Sequence, residues 1–90
     1  MWYVYILHCA DDTLYTGITV DLERRLLEHN GDKALGARYT RTRRPVTLAY
    51  AEPAESRATA ASREAAIKKL TRAQKLKLIK AHERRHALER

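Results

Sequence analysis

The hydrophobic pattern changes period several times along the chain, and each change marks an element. Trp2 to Cys9 is rich in aromatic and β-branched residues, which predicts a strand. Asp11-Asp12 is a turn signal, and Thr13 to Ile18 predicts the return strand of a hairpin. Side chains alternate faces along a strand, and directly paired residues share one. A two-residue loop at Asp11-Asp12 would pair Cys9 with Leu14 and put Tyr5 and Tyr15 on opposite faces. An odd loop, such as Asp11-Asp12-Thr13, or a bulge would put both on one face. The odd loop or bulge is expected, because only that arrangement lets the two phenols act together.

The period then becomes helical. Thr19 or Asp21 can cap a helix, and Asp21 and Glu23 suit its positive N-terminus. Leu22 and Leu26, one turn apart, are expected to face the sheet. Arg25 and His29 share an adjacent stripe. Asn30-Gly31 should end the helix, with Gly31 tolerating a left-handed conformation. Residues 31–44 show no periodicity and read as a basic loop. Pro45 closes it, and Val46 to Ala51 predicts a third strand. Pro53 and Glu55-Ser56 start an alanine-rich helix running to about Leu70. Thr71-Arg72-Ala73-Gln74 has the form of a capping box. It opens a last helix in which Ala73, Leu76 and Ile79 or Lys80 follow helical spacing. Past Ala81 the charged chain should fray. The order β-β-α-β-α-α predicts an α+β domain with a three-stranded, mainly antiparallel sheet flanked by helices. The domain is expected over residues 1–81, with a charged tail over 82–90.

Ninety residues fit one small domain. The net charge of +7 points toward a polyanion. Its distribution sharpens that picture. Residues 1–30 carry two basic and five acidic side chains, whereas residues 63–90 carry ten and three. Residues 31–50 carry five basic and one acidic. Positive charge therefore gathers after the hairpin, in the loop and the C-terminal helices. Cys9 is the sole cysteine, so no internal disulfide forms. There is no signal-peptide pattern and no run of membrane-spanning length, so a cytosolic, reducing compartment and no membrane partner are expected.

Four residue types supply what phosphodiester hydrolysis needs: a group to take a proton from water, a cation for the phosphorane charge, and a metal ligand. Tyr5 and Tyr15 lie on the paired strands, with Gly17 behind them. Gly17 in a strand interior is costly unless backbone or ligand must approach closely. Free tyrosine, with a pKa of about 10, is a poor base at neutral pH. A nearby Arg25 and a metal would lower it. His29, naturally near neutrality, is a reserve base. Arginine suits phosphate because its planar fork meets two oxygens at once. Taken alone, any one tyrosine is ordinary packing, Arg24 a solvated helix arginine, and Glu64 with Lys68 a surface i,i+4 pair. Lys33, Arg38, Arg41, Arg43, Arg44, Lys68, Lys69 and Arg72 read as phosphate contacts that position a strand without reading its sequence.

Tyr3-Val4-Tyr5 and, ten residues on, Tyr15-Thr16-Gly17, then Arg25 and Glu64-Ala65-Ala66-Ile67-Lys68, resemble the GIY-YIG endonuclease family. The resemblance covers about residues 2 to 81 and is strongest to its small stand-alone branch. It implies a β-β-α-β-α core and a DNA endonuclease. Tyr15 would help take the water's proton, Tyr5 would position water and phosphate, and Arg25 would stabilise the transition state. Glu64 would be the sole protein ligand of one Mg²⁺ or Mn²⁺, leaving 5′-phosphate and 3′-hydroxyl ends. Some relatives carry a lysine directly after the motif glycine, where this chain has Ile18. The implied partner is DNA, branched or single-stranded forms included, and the implied setting DNA repair. A targeting protein partner is a further expectation. The rival reading is a nucleic-acid binder that keeps the scaffold without cutting. His82-Glu83-Arg84-Arg85-His86 also fits the zinc-protease pattern H-E-x-x-H. It lies among the last nine residues with no third ligand after it, so that reading is set aside.

Overall fold

The computed structural model describes residues 1–31 and 36–89; the Lys33 expectation lies outside the described residues. Three strands and three helices follow in the order β1 (Trp2–His8), β2 (Leu14–Thr19), α1 (Leu22–Asn30), β3 (Thr47–Ala54), α2 (Arg57–Lys68) and α3 (Arg72–Glu89). The sheet is antiparallel in the order β2-β1-β3, as the α+β reading expects.

β1 is the central strand, and its residues Val4 to Leu7 are buried on both faces. Alternation sorts them into two layers. Val4 and Ile6 join Ala54, Ala60, Ile67 and Ile79, with the Trp2, Leu70 and Leu78 side chains packed around them. Tyr5 and Leu7 join Cys9 and Val46, against which Tyr15, Leu22 and Leu26 pack. Helix α1 therefore covers the tyrosine face, and α2 and α3 cover the other. Leu22 and Leu26 face the sheet as their spacing requires.

The hairpin register settles the question the loop left open. Tyr5 pairs with Gly17 and Leu7 with Tyr15, which puts both tyrosines on one face. The loop is odd, but it is Ala10-Asp11-Asp12 rather than Asp11-Asp12-Thr13. The Cys9 N–H donates to Thr13 O at 2.9 Å, and Asp12 takes a positive φ of 67°.

Asp21 caps α1 through its Oδ1, which accepts from the Arg24 N–H at 3.1 Å. Thr19 supports the cap by accepting from the Asp21 N–H at 3.1 Å. Gly31 does end the helix, but at φ −77°, so the left-handed conformation is not used. Instead the Asn30 amide clasps the backbone of Val46, accepting its N–H at 2.7 Å and donating to its carbonyl at 2.9 Å.

Strand β3 runs three residues past the expected Ala51 and includes Pro53. An edge strand tolerates this, since one side of its backbone pairs with nothing. Helix α2 then starts later, capped by Ser56, whose hydroxyl accepts from the Thr59 N–H at 3.1 Å. Glu52 ties the two elements by accepting from Tyr50 Oη at 2.7 Å and Arg63 Nε at 2.9 Å. The capping box forms reciprocally: Gln74 N–H donates to Thr71 Oγ1 at 3.2 Å and Thr71 N–H to Gln74 Oε1 at 2.9 Å.

Of the Ala73, Leu76 and Ile79 stripe on α3 only Ile79 is buried, and Lys75, Leu78 and His82 are the half-buried positions. The expected fraying is corrected: the helix continues past Ala81 to Glu89. The His82 ring packs edge-on against Tyr50 with centroids 5.3 Å apart, which gives the charged segment a tertiary anchor. Its Ala, Leu, Glu and Arg residues are themselves good helix formers.

Candidate active site

Gly17 makes room for the site. Strands β1 and β2 place it directly opposite Tyr5, whose ring lies across it. A Cβ at Gly17 would sit 2.5 Å from Tyr5 Oη and 2.6 Å from Cζ, closer than any real contact. The glycine has no positive φ. Its requirement is space for the phenol rather than conformational freedom.

Helix α1 brings Arg25 and His29 over that phenol. Tyr5 is 2 % exposed, and its Oη lies 2.9 Å from His29 Nε2. The Arg25 guanidinium also acts on the Tyr5 hydroxyl and favours its ionised form. Burial raises the Tyr5 pKa above its ordinary value, against the opposing pull of Arg25. Tyr15 packs its ring edge-on to His29, centroids 5.4 Å apart, and stacks on Tyr39 at 5.8 Å. It remains half-buried at the rim.

His29 is 1 % exposed. Burial, and secondarily the Arg25 charge, lower its pKa from 6.5 to about 4. The imidazole is therefore neutral at pH 7. Both its ring nitrogens are engaged, Nε2 by Tyr5 and Nδ1 by Thr40 Oγ1 at 2.8 Å. Neither ring nitrogen faces bulk water.

The depressed pKa has a stability consequence. The unfolded chain binds a proton at His29 below pH 6.5, whereas the folded chain resists until about pH 4. The stabilisation is complete above pH 6.5 and is lost as pH falls through that window. At about 1.4 kcal/mol per pH unit, urea unfolding should show a loss of about 2 kcal/mol from pH 6.5 to 5, above the range where carboxylates protonate. His29→Gln should flatten that segment of the curve; an unchanged slope would contradict the assignment.

Arg25 Nη1 donates to Glu28 Oε1 at 2.9 Å, which orients the guanidinium. Burial works to lower the Arg25 pKa, but the Glu28 carboxylate and the Tyr5 hydroxyl outweigh it and the net direction is upward. It stays a cation throughout. Glu64, on α2, bears on the same group from the other layer. Its charge adds weakly to the upward push on the Tyr5 phenol. The Glu64 carboxylate is partly exposed and only loosely paired with Lys68, at 3.7 Å. No group of three or more His, Cys, Asp or Glu that could hold a metal occurs among the described residues. A single open carboxylate suits Mg²⁺, which keeps most of its waters and accepts one or two carboxylates plus substrate phosphate.

Comparison with known proteins identifies the family. A family model described as the GIY-YIG catalytic domain matches residues 1–77. The chain belongs to the GIY-YIG family. This is a nuclease family, whose members act on nucleic acid and generally use divalent metals. A UPF0213 protein of Desulfotalea psychrophila is 55 % identical over 83 residues, covering 92 % of this chain and 74 % of the relative. One from Syntrophus aciditrophicus is also 55 % identical, covering 92 % and 94 %. The solution NMR structure of the UPF0213 protein BH0048 from Bacillus halodurans matches with a TM-score of 0.56 and 39 % identity. It covers 90 % of this chain and 85 % of that one.

Against that family background, the basic residues separate into groups. Arg38, Arg41 and Lys69 lie exposed. Arg43 is bound into the fold: its Nε lies 2.9 Å from Asp11 Oδ2, and its guanidinium sits 4.0 Å from the Tyr39 ring centre. Arg44 donates to the carbonyls of Arg41 and Gly31, clamping the loop to the end of α1. Lys68 pairs with Glu64, and Arg72 reaches Asp12 in the hairpin at 3.3 Å. The H-E-x-x-H histidines face one another on α3, with His82 and His86 Nε2 3.0 Å apart.

The sequence pattern missed Thr40, Tyr39 and Gly36. A Cβ at Gly36 would lie 2.9 Å from His29 Cα, so the loop rests directly on the last turn of α1. That close approach delivers Thr40 to His29. No periodicity marks these positions, and only the glycine hinted at a tight contact.

Proposed function

We propose that this GIY-YIG protein is a divalent-metal-dependent endonuclease that hydrolyses DNA phosphodiester bonds by attack of water. One observation carries the reading: the buried Tyr5 hydroxyl lies 2.9 Å from His29 Nε2, and the charges of Arg25 and Glu64 both act on it. The attacking water gives its proton to the tyrosine pair. Tyr15 stands at the open rim, and Tyr5 has His29 Nε2 behind it to receive its own proton. Arg25 meets the charge that develops on the phosphorus oxygens. Glu64 would hold Mg²⁺ or Mn²⁺, an ion that supplies further charge neutralisation at the phosphate. With one protein ligand, metal binding in the absence of nucleic acid is expected to be weak.

Arg38, Arg41 and Lys69, which are exposed, are proposed to contact phosphates along the strand, as is Lys33, and Arg43, Arg44, Lys68 and Arg72 are proposed to join them where substrate competes for their present partners. DNA repair in the cytosol is the setting proposed, and a free, buried Cys9 is in keeping with a reducing compartment.

The test is cleavage of branched, single-stranded and duplex DNA with Mg²⁺, comparing wild type with Glu64→Ala. The variant should lose metal-dependent cleavage while keeping its fold, since its partner Lys68 is half-exposed. Equal cleavage by the two proteins would refute the assignment.

A further inference from the structure

Thr40 is fully buried in a segment of turns, and its hydroxyl has two short contacts. Its Oγ1 lies 2.9 Å from the Ala37 carbonyl oxygen and 2.8 Å from His29 Nδ1. Beyond the ring, Nε2 lies 2.9 Å from Tyr5 Oη. The chain of contacts runs Tyr5, His29, Thr40, Ala37, with one proton available at each link.

A hydroxyl has a single proton, so the links are not independent. Suppose Thr40 donates to Nδ1. Two acceptors, Oγ1 and the Ala37 carbonyl, then face each other at 2.9 Å with no proton between them, although the carbonyl still accepts from the Thr40 N–H at 3.1 Å. Suppose instead that Thr40 donates to Ala37 O. Its lone pair then accepts the Nδ1 proton, and Nε2 presents a bare lone pair to the Tyr5 hydroxyl. Only this second arrangement makes every short contact a hydrogen bond. The Ala37 N–H also points at Nδ1, but from 3.5 Å, the long limit of a hydrogen bond, and the Nδ1–H form gives up only this weak contact to keep the two short ones.

We infer that Thr40 is a positioning residue that fixes His29 as its Nδ1–H tautomer and so aims Nε2 at the Tyr5 proton. The catalytic consequence rests on the phosphodiesterase reading; the tautomer does not. In the reaction, the bond from the water oxygen to phosphorus forms as a water O–H bond breaks. That proton passes to Tyr5 Oη while the Tyr5 proton moves to His29 Nε2. The bond from phosphorus to the leaving 3′ oxygen breaks, and that oxygen takes a proton from solvent. His29 carries the charge briefly, with its Nδ1–H still bonded to Thr40, and returns its proton through Tyr5. A buried imidazole with a depressed pKa holds a proton only transiently, which suits a relay better than a store.

The experiment is ¹⁵N NMR of the His29 ring in wild type, Thr40→Ser and Thr40→Val, alongside cleavage kinetics. Wild type and Thr40→Ser should both show a protonated Nδ1 and a bare Nε2. Thr40→Val, which keeps the shape and loses the hydroxyl, should shift toward the Nε2–H form. Its kcat should fall by about 10–100-fold with little change in KM, less than the roughly 10²–10⁴-fold that loss of a whole general base costs. A protonated Nε2 in wild type, or an unchanged tautomer in Thr40→Val, would overturn the inference. The expected ring pattern in proteins that do not cut DNA would uphold the tautomer and reject the nuclease reading instead. Thr40→Ser keeps the comparison decisive should the valine variant fail to fold.

Discussion

Arg25→Ala is expected to slow DNA cleavage by about 10²–10³-fold, the usual cost of removing one group that meets transition-state charge. Stability should change far less. The ion pair Arg25 makes with Glu28 is an i,i+3 contact on a partly exposed helix face. Such pairs contribute about 0.3–0.5 kcal/mol. Tyr5 keeps His29 as its partner. Arg25→Lys should recover little activity, because a point charge lacks the planar fork that meets two phosphate oxygens. Full activity in Arg25→Lys would mean that charge alone matters there. Wild-type rates in Arg25→Ala would remove the guanidinium from the chemistry.

Gly17→Ala is expected to disrupt both the fold and the site. The added methyl would sit 2.5 Å from Tyr5 Oη, and Tyr5 is locked by burial and by His29. Either the phenol moves or the two strands part. Overpacking of this kind costs typically 1–3 kcal/mol. A shift of the phenol by about 1 Å can by itself cost on the order of 10²-fold in rate. Urea unfolding and single-turnover cleavage read the two effects separately. A Gly17→Ala protein with wild-type stability and rate would show that the Tyr5 ring has slack there, and that the glycine serves another purpose.

These two sites were legible in the sequence for different reasons. The hairpin motif carries a steric demand, because a strand-interior glycine needs an explanation and the paired tyrosine provides it. The parity of the loop followed from requiring two phenols on one face, although its residues shifted by one toward Ala10. Arg25 and Glu64 were readable only together, as an ordered set; each alone is an ordinary helix residue. The end of β3 was missed because Pro53 resembles a helix start, and only the strand's place at the sheet edge excuses it. The length of α3 was missed because Tyr50, thirty-two positions earlier, supplies the packing that keeps His82 helical. Thr40 could not be found at all. Its role depends on a loop folding back through Gly36, and neither charge nor period encodes that return.

The central claim is convergence of the tyrosines, the guanidinium and the carboxylate on one scissile phosphate. A crystal of the protein with Mn²⁺ and a short oligonucleotide measures this directly through the anomalous signal of the ion. The account predicts a peak against Glu64 and a phosphate between Arg25 and the two tyrosine hydroxyls. Manganese bound elsewhere, for instance by His82 and His86, with the strand running away from Arg25, would contradict it.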